Sequence, residues 1–181
     1  LRTKYKGKKV SVQLLTNVRS GNCTQNCAYC AQSKDSQAEI EKYKRVSDET
    51  LYGDNDLVDE KHLARHCIGL SGIGFSDEEI EDLADRIREM KKKDTQICCS
   101  IGFLTEKQAR ILKDAGLDRI NHNLNSSRSF YPEICTTHTY DQRVNNIKML
   151  QSLGFEICSG GIVGMGESKE DIVDMLMDLR E

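Results

Sequence analysis

The sequence predicts an α/β protein of the (β/α) TIM-barrel type, incomplete over this chain. Three observations carry that prediction. From Cys67 onward, short apolar strands alternate with amphipathic helices. The helix starts carry capping pairs such as Ser76 with Glu79 and Thr105 with Gln108. The cysteine-, amide- and glycine-rich stretches fall at the carboxyl ends of strands, where parallel βα architectures put their active sites. Such alternation implies right-handed βαβ units and a parallel sheet buried on both faces.

Taken in order, residues 1–9 hold Arg2, Lys4, Lys6, Lys8 and Lys9 and read as a solvated basic lead-in. Val10 to Asn17 has strand character. Residues 34–63 are charged and poorly periodic, and only Leu57 to Leu63 suggests a short helix there, with no turn signal after it. Cys67 to Ser71 is the second strand. A helix follows with Ile80, Leu83, Ile87 and Met90 on one face, acids in its first turn and Lys91, Lys92 and Lys93 at its end, as the macrodipole favours. Ile97 to Phe103 is the third strand, and the helix after Thr105 stops at Gly116. Asp118 to Asn123 is the fourth strand. Thr139 or Tyr140 opens a helix with Val144, Ile147 and Leu150 aligned, ended by Gly154. Glu156 to Val163 is the fifth strand, and Ser168 caps a last helix with Ile172, Leu176 and Leu179 apolar, running to Glu181 without a stop signal.

From the second strand on, strand starts lie about 20 to about 40 residues apart, against about 31 per unit in an eight-unit barrel of about 250 residues. The 181 residues therefore supply about five to six units, too few to close a barrel, and the chain reads as a fragment or a partly ordered barrel, with residues missing near 55–65, where a full helix belongs.

Composition narrows the class. Residues 1–181 are enough for one sizeable domain. The net charge of -3, from 26 basic and 29 acidic side chains, points to neither nucleic acid nor an anionic membrane. No apolar run is long enough to span a bilayer, and no signal peptide opens the sequence. Without export signals, eight cysteines fit a reducing, cytoplasmic, metal-binding protein better than a disulfide framework.

The chemistry concentrates in Ser20 to Ser33, where Cys23, Cys27 and Cys30 form C-x3-C-x2-C directly after a strand. Iron–sulfur cubanes are normally held by four thiolates, so three would leave one iron open to a small ligand. Spacing alone also leaves open a zinc site short of one ligand, and a disulfide with a spare thiol. Asn121-His122-Asn123-Leu124-Asn125 is polar for a strand buried on both faces, which calls for either a polar ligand or an internal side-chain network. Cys67, Cys98 and Cys158 lie on three different strands. Each alone would be core packing, but alternate side chains point into a barrel, so the three can also meet there as a second metal site. Cys98 and Cys99 point to opposite sides of their strand, so at most one of them joins it. The run Gly160 to Gly166 is either a flexible loop or a close backbone approach to a cofactor.

The cysteine triplet with Tyr29 between its last two members resembles the signature of radical S-adenosylmethionine (SAM) enzymes. Cys30-Ala31-Gln32-Ser33, Asn121-His122-Asn123-Leu124 and Cys158 through Glu167 resemble the biotin synthase family in particular. That resemblance covers most of the chain from Val10 and implies a radical SAM βα-barrel domain over 1–181, with the C-terminal units absent. Cys23, Cys27 and Cys30 would hold a 4Fe–4S cluster whose open iron binds SAM. Reductive cleavage would yield a 5′-deoxyadenosyl radical that takes hydrogen from dethiobiotin, and an auxiliary cluster, 2Fe–2S or larger, would donate the sulfur that closes the ring to biotin. Cys67, Cys98 and Cys158 match the cysteine ligands of that second cluster, with Cys99 and Cys135 as extra candidates. The family's arginine ligand for it lies beyond this chain's end. Arg143 matches the arginine that grips the SAM carboxylate. Tyr29 and Ile162 match adenine-lining positions. Asn121 and Asn123 match amides near the substrate's ureido ring and the ribose, and Asn125 stands where the family usually has a ribose-binding acid. No side chain is expected to act as an acid–base catalyst. The implied partners are dethiobiotin, an electron donor such as flavodoxin or ferredoxin, and a second copy in a homodimer. The alternatives are another radical SAM enzyme of the subfamily, a maturase or mutase, and a non-enzymatic iron–sulfur or zinc module.

Overall fold

The computed structural model describes residues 2–8 and 10–180. Five strands, β1 (Gln13–Arg19), β2 (Arg65–Leu70), β3 (Ile97–Ser100), β4 (Arg119–Asn121) and β5 (Glu156–Cys158), form one sheet in the order β1-β2-β3-β4-β5. All four pairings are parallel. A doubly wound sheet reverses its strand order at a switch point, whereas here each strand lies beside its predecessor, as in a TIM-type barrel wall. Helices α2 (Asp48–Glu60), α3 (Asp77–Met90), α4 (Glu106–Asp114), α6 (Tyr140–Ser152) and α7 (Lys169–Asp178) alternate with the strands, α1 (Arg2–Lys6) precedes them, and α5 (Tyr131–Ile134) is one turn before α6.

Register sorts the side chains into layers. Thr16, Ile68, Cys99, Ile120 and Ile157 are aligned across the sheet and point to the helices, where Ile68, Cys99 and Ile120 sit in the main core with Leu51, Ile80, Ile87, Leu112 and Leu150. One residue earlier, Leu15, Cys67, Cys98, Arg119 and Glu156 are aligned on the opposite face. Two residues further toward the carboxyl ends, Asn17, Gly69, Ser100, Asn121 and Cys158 form the next layer of that face.

The expected elements are present, with four differences. The lead-in is not wholly irregular: Arg2–Lys6 is helical, Lys4 and Lys8 are exposed, and Lys9 lies outside the described residues. The connection after β1 contains a complete helix α2, capped by Ser47, so no helix is missing near 55–65. Its buried face is Leu51, Asn55 and Val58. A polar residue within that stripe, and Gly53 beside it, hide the helical period. Asn55 fits because it donates to Met90 O at 3.2 Å and meets His66 Nδ1 at 3.2 Å. His62, at φ 49°, stops the helix in the left-handed conformation. Third, β3 and β5 end at Ser100 and Cys158 rather than running on to Phe103 and Val163. Fourth, α7 ends at Asp178, and its buried residue is Met175, while Leu176 is 56% exposed. Met175 packs onto Gly161 so closely that a Cβ there would lie 1.9 Å from its Sδ. Helix packing therefore explains that glycine, rather than a cofactor's approach.

Candidate cluster and cofactor site

The loop after β1 is fixed at several points. Ser20 exchanges backbone hydrogen bonds with Tyr43 at 3.0 and 3.1 Å, and Gly21 N donates to Gln32 Oε1 at 2.7 Å. Backbone turns join Cys30 N to Cys27 O and Ser33 N to Cys30 O. The loop is docked on the segment around α5: Ala28 N donates to Ile134 O at 2.9 Å, and Asn26 Oδ1 accepts from Thr136 N at 3.0 Å and Thr137 N at 3.3 Å. Cys23, Cys27 and Cys30 are thereby turned onto one cavity of about 250 Å³ at the carboxyl ends of the strands.

Tyr29, Asn121, Asn123, Asn125 and Arg143 line the same cavity, together with His122, His138, Phe103 and Gln25. Arg143 comes from the first turn of α6, placed there by the capping box of Thr139 and Gln142. Its Nη1 donates to Asn123 O at 3.1 Å, its Nη2 lies 2.9 Å from His138 Nε2, and its Nε donates to the Tyr131 hydroxyl. Burial works against its charge, but the phenols of Tyr131 and Tyr29 outweigh that and hold it protonated. Among the described residues lining the cavity it is the one Lys or Arg, and no carboxylate is present. The cavity is therefore built to receive an anion. Asn125, at φ 70°, donates from Nδ2 to Tyr29 Oη at 2.6 Å, and burial raises the Tyr29 phenol far above its ordinary value. Ile162 is not among the lining residues but is tied to the site by its N–H on Asn125 O at 2.9 Å.

Burial, with Arg143 next, lowers His122 to about 4, and its buried Nε2 has no partner among the described residues. Burial, again with Arg143 next, lowers His138 to about 4. Both rings are neutral near pH 7. Cys27 is pushed up to about 11, first by burial and then by Cys135, whose Sγ is 3.7 Å away. Cys135 is the more acidic of the pair: burial opposes its ionisation, but hydrogen bonds from Thr137 and from the backbone at Thr137 and His138 prevail.

The strand cysteines occupy the inner face below the cavity floor. Cys67 and Cys98 are directly aligned, and Cys158 is one layer above them, aligned with the lining residue Asn121. Burial raises Cys67, and it raises Cys98 to about 12 with Cys67 and Cys158 adding to the effect. The guanidinium of Arg65, which favours the Cys67 thiolate, keeps Nε and Nη1 buried without hydrogen-bond partners among the described residues. A buried cation beside grouped thiols is the surrounding that an anionic cluster fits. Two sequence candidates drop out of this set. Cys99 faces the helices in the main core, burial driving its thiol far above the ordinary range, and Cys135 stands beside Cys27 in a second apolar cluster. Sequence reasoning missed His138, Gln25 and Phe103. The polar run Thr136-Thr137-His138 just before a helix cap was the available signal for the first.

A partial barrel with three loop thiols and a carboxylate-receiving arginine at its carboxyl end defines a class of protein whose site can accept a metal cluster and a carboxylate-bearing cofactor. Residues 17–179 match the family model described as the radical SAM superfamily. The chain belongs to that superfamily. It is 43% identical over 182 residues to the biotin synthase of Rhodopirellula baltica, covering 100% of this chain and 51% of that protein. With the biotin synthase of Bacillus subtilis it shares 41% over 181 residues, 99% of this chain and 54% of that one. The chain thus spans about half the length of the curated relatives it matches. Among solved structures it resembles methylornithine synthase (TM-score 0.86, 16% identity, 98% of this chain and 52% of that one). It also resembles the FeFe-hydrogenase maturase of Carboxydothermus hydrogenoformans (TM-score 0.82, 19% identity, 98% and 42%). At those identities the likeness concerns the fold. Among the described residues no helix is long and apolar enough to cross a membrane.

Proposed function

We propose that this chain is the SAM-binding and thiol-bearing part of a biotin synthase acting on dethiobiotin in the cytoplasm, as a homodimer supplied with electrons by a flavodoxin or ferredoxin. The observation that carries the reading is the vertical order of the two thiol sets. Cys23, Cys27 and Cys30 border the cavity, Cys67 and Cys98 lie beneath it, and the layer of Ser100, Asn121 and Cys158 stands between. A substrate held in that layer would be flanked by both.

In this reading the loop thiols hold a 4Fe–4S cluster, and the strand thiols hold an auxiliary cluster together with a ligand from outside this chain. With SAM bound, these groups supply the one-electron chemistry that removes hydrogen from unactivated carbon, and the sulfur that replaces it. The chain's own residues position the reactants. Arg143 holds the SAM carboxylate through its planar fork, braced by Tyr131, His138 and the Asn123 carbonyl. Tyr29 and Ile162 border the adenine, and Asn125 offers the ribose a neutral amide instead of an acid. Asn121 and Asn123 present amides to the ureido ring. The neutral imidazole of His122 leaves Arg143 as the site's fixed positive charge.

The test is anaerobic reconstitution, with iron and sulfide counted and 5′-deoxyadenosine measured with and without dethiobiotin. Two distinct clusters, and deoxyadenosine formation stimulated by dethiobiotin, are expected. A single cluster that cleaves SAM without responding to dethiobiotin would move the chain to another radical SAM activity.

A further inference from the structure

The loop triplet is not the tightest cluster of metal-binding atoms in the molecule. Among the described residues, that is Cys27, Cys135 and His138, whose ligand atoms all lie within 4.8 Å of one another and which are 8%, 3% and 6% exposed. We propose that these three residues form a mononuclear site for a thiophilic divalent cation of the zinc type, open to the chain before its loop carries a cluster and incompatible with that cluster because both need Cys27. The proposal goes beyond the function argued above and shares with it Cys27 and His138, the latter as a brace of Arg143.

Two of the three ligand separations are near those around one tetrahedral ion, and the third is within 4.8 Å. Two thiolates bound at about 2.3 Å stand about 3.8 Å apart, and a thiolate with an imidazole nitrogen about 3.5 Å apart. Cys27 and Cys135 Sγ are 3.7 Å apart, and Cys135 Sγ is 3.3 Å from His138 Nδ1. Gln25 Oε1, 3.0 Å from Nδ1, supplies an oxygen for the fourth position. The second nitrogen of the ring is also provided for. Metal on Nδ1 makes Nε2 a donor, and the Tyr131 hydroxyl at 2.8 Å is there to accept, the outer-shell bond that orients a ligating histidine. Arg143 Nη2, 2.9 Å from the same nitrogen, must then release it. Binding sends one proton from each thiol to solvent and changes no oxidation state. Nothing in a core-packing role for Cys135 requires a histidine and a second thiol at ligand spacing. Occupation of the site would withhold Cys27 from cluster assembly while zinc is in excess.

The experiment uses the full chain, stripped anaerobically with chelator and reductant and titrated with Co²⁺ as an optical probe, then with Zn²⁺. Tetrahedral cobalt bands with thiolate charge transfer are expected, and X-ray absorption of the zinc form should show sulfur together with imidazole scattering. Cys135→Ser and His138→Gln should each lower tightly bound metal by one equivalent and remove the imidazole signal. Cys23→Ser and Cys30→Ser should leave that equivalent in place. If Cys23→Ser or Cys30→Ser abolishes it and Cys135→Ser does not, the loop triplet holds the metal and the proposal is overturned. Zinc loading should also slow iron–sulfur reconstitution in the parent chain but not in Cys135→Ser, and equal slowing in both would overturn the competition. These readouts are metal content and coordination rather than biotin formation, so this proposal and the functional one fail separately.

Discussion

The two sets of thiols are positioned by different kinds of structure. Cys23, Cys27 and Cys30 are close in sequence and ride on a loop whose place is set by turns and by side-chain bonds from Asn26 to residues 136–137. Cys67, Cys98 and Cys158 are far apart in sequence and are placed by strand register, one of the stiffest constraints a sheet offers. The loop set faces a cavity with a single guanidinium, and the strand set faces buried guanidinium donors with no partners. In the proposed reading, the first arrangement could admit and release a ligand at the metal it would hold. The second fixes a group that need not exchange ligands while it is in place. Perturbing each set should therefore disable a different half of the chemistry.

The largest expected effect is on the strand set. If the proposed function holds, Cys158→Ala should abolish biotin formation while leaving the iron of the proposed loop cluster and the reductive cleavage of SAM intact, measured as iron per chain and uncoupled 5′-deoxyadenosine. Retained biotin formation would remove Cys158 from the sulfur-supplying set. On the loop side, Arg143→Lys keeps the charge but loses the fork. SAM affinity should drop about ten- to a hundredfold by calorimetry, the range for losing a hydrogen bond to a charged group. An unchanged dissociation constant would end its carboxylate role.

The same contrast decides what could be read from the sequence. The loop triplet was legible because its residues are neighbours in the chain, and the capping boxes of α3 and α4 because each lies within one turn. For the strand thiols, period two gave only that alternate residues point inward. That Cys67 and Cys98 share a layer and Cys158 lies one above follows from pairing, which no local pattern contains. For Cys135 the sequence leaves open an inert thiol or a ligand of the auxiliary cluster, because only the docking of residues 20–33 on α5 brings it to Cys27. Helix α2 was hidden by Asn55, whose partners Met90 and His66 belong to other elements.

The cavity end should also carry an acid sensitivity, to which the buried His66 on β2, lowered by burial too, adds. His122 takes a proton only near about 4 in the folded chain, against about 6.5 when unfolded. Between those values the unfolded state binds more protons, so this contribution is complete above about 6.5 and lost as the pH falls toward about 4. A shift of that size corresponds to at most about 3 kcal/mol. His122→Phe keeps the ring packed against Phe103 and removes the titration, so urea midpoints of the cluster-free chain should fall less between about pH 7 and about pH 5 than in the parent. His138 is shifted the same way and should sustain part of the slope. An identical slope in both chains would place the acid-labile step elsewhere.

The smallest and most selective perturbation is Gly102→Ala. This glycine is required by contact, since a Cβ would lie 2.4 Å from the Ile73 carbonyl oxygen, a backbone atom that cannot swing aside. The same oxygen accepts from Phe103 N at 2.7 Å, joining the loops after β2 and β3 and holding the Phe103 ring 5.3 Å from His122 and 5.5 Å from His138. The added methyl should cost about 1–3 kcal/mol, as overpacking does, and push Phe103 off the two imidazoles that brace the cavity. Cys67 and Cys98 lie in the strands below this contact, with their register untouched. The variant should therefore melt earlier and bind SAM more weakly than the parent, while loading any iron that the strand thiols hold in the proposed reading as the parent does. If iron loading on the strand thiols falls together with SAM affinity, the two sets are mechanically coupled through the loops, and the division between a movable loop set and a fixed strand set has to be given up.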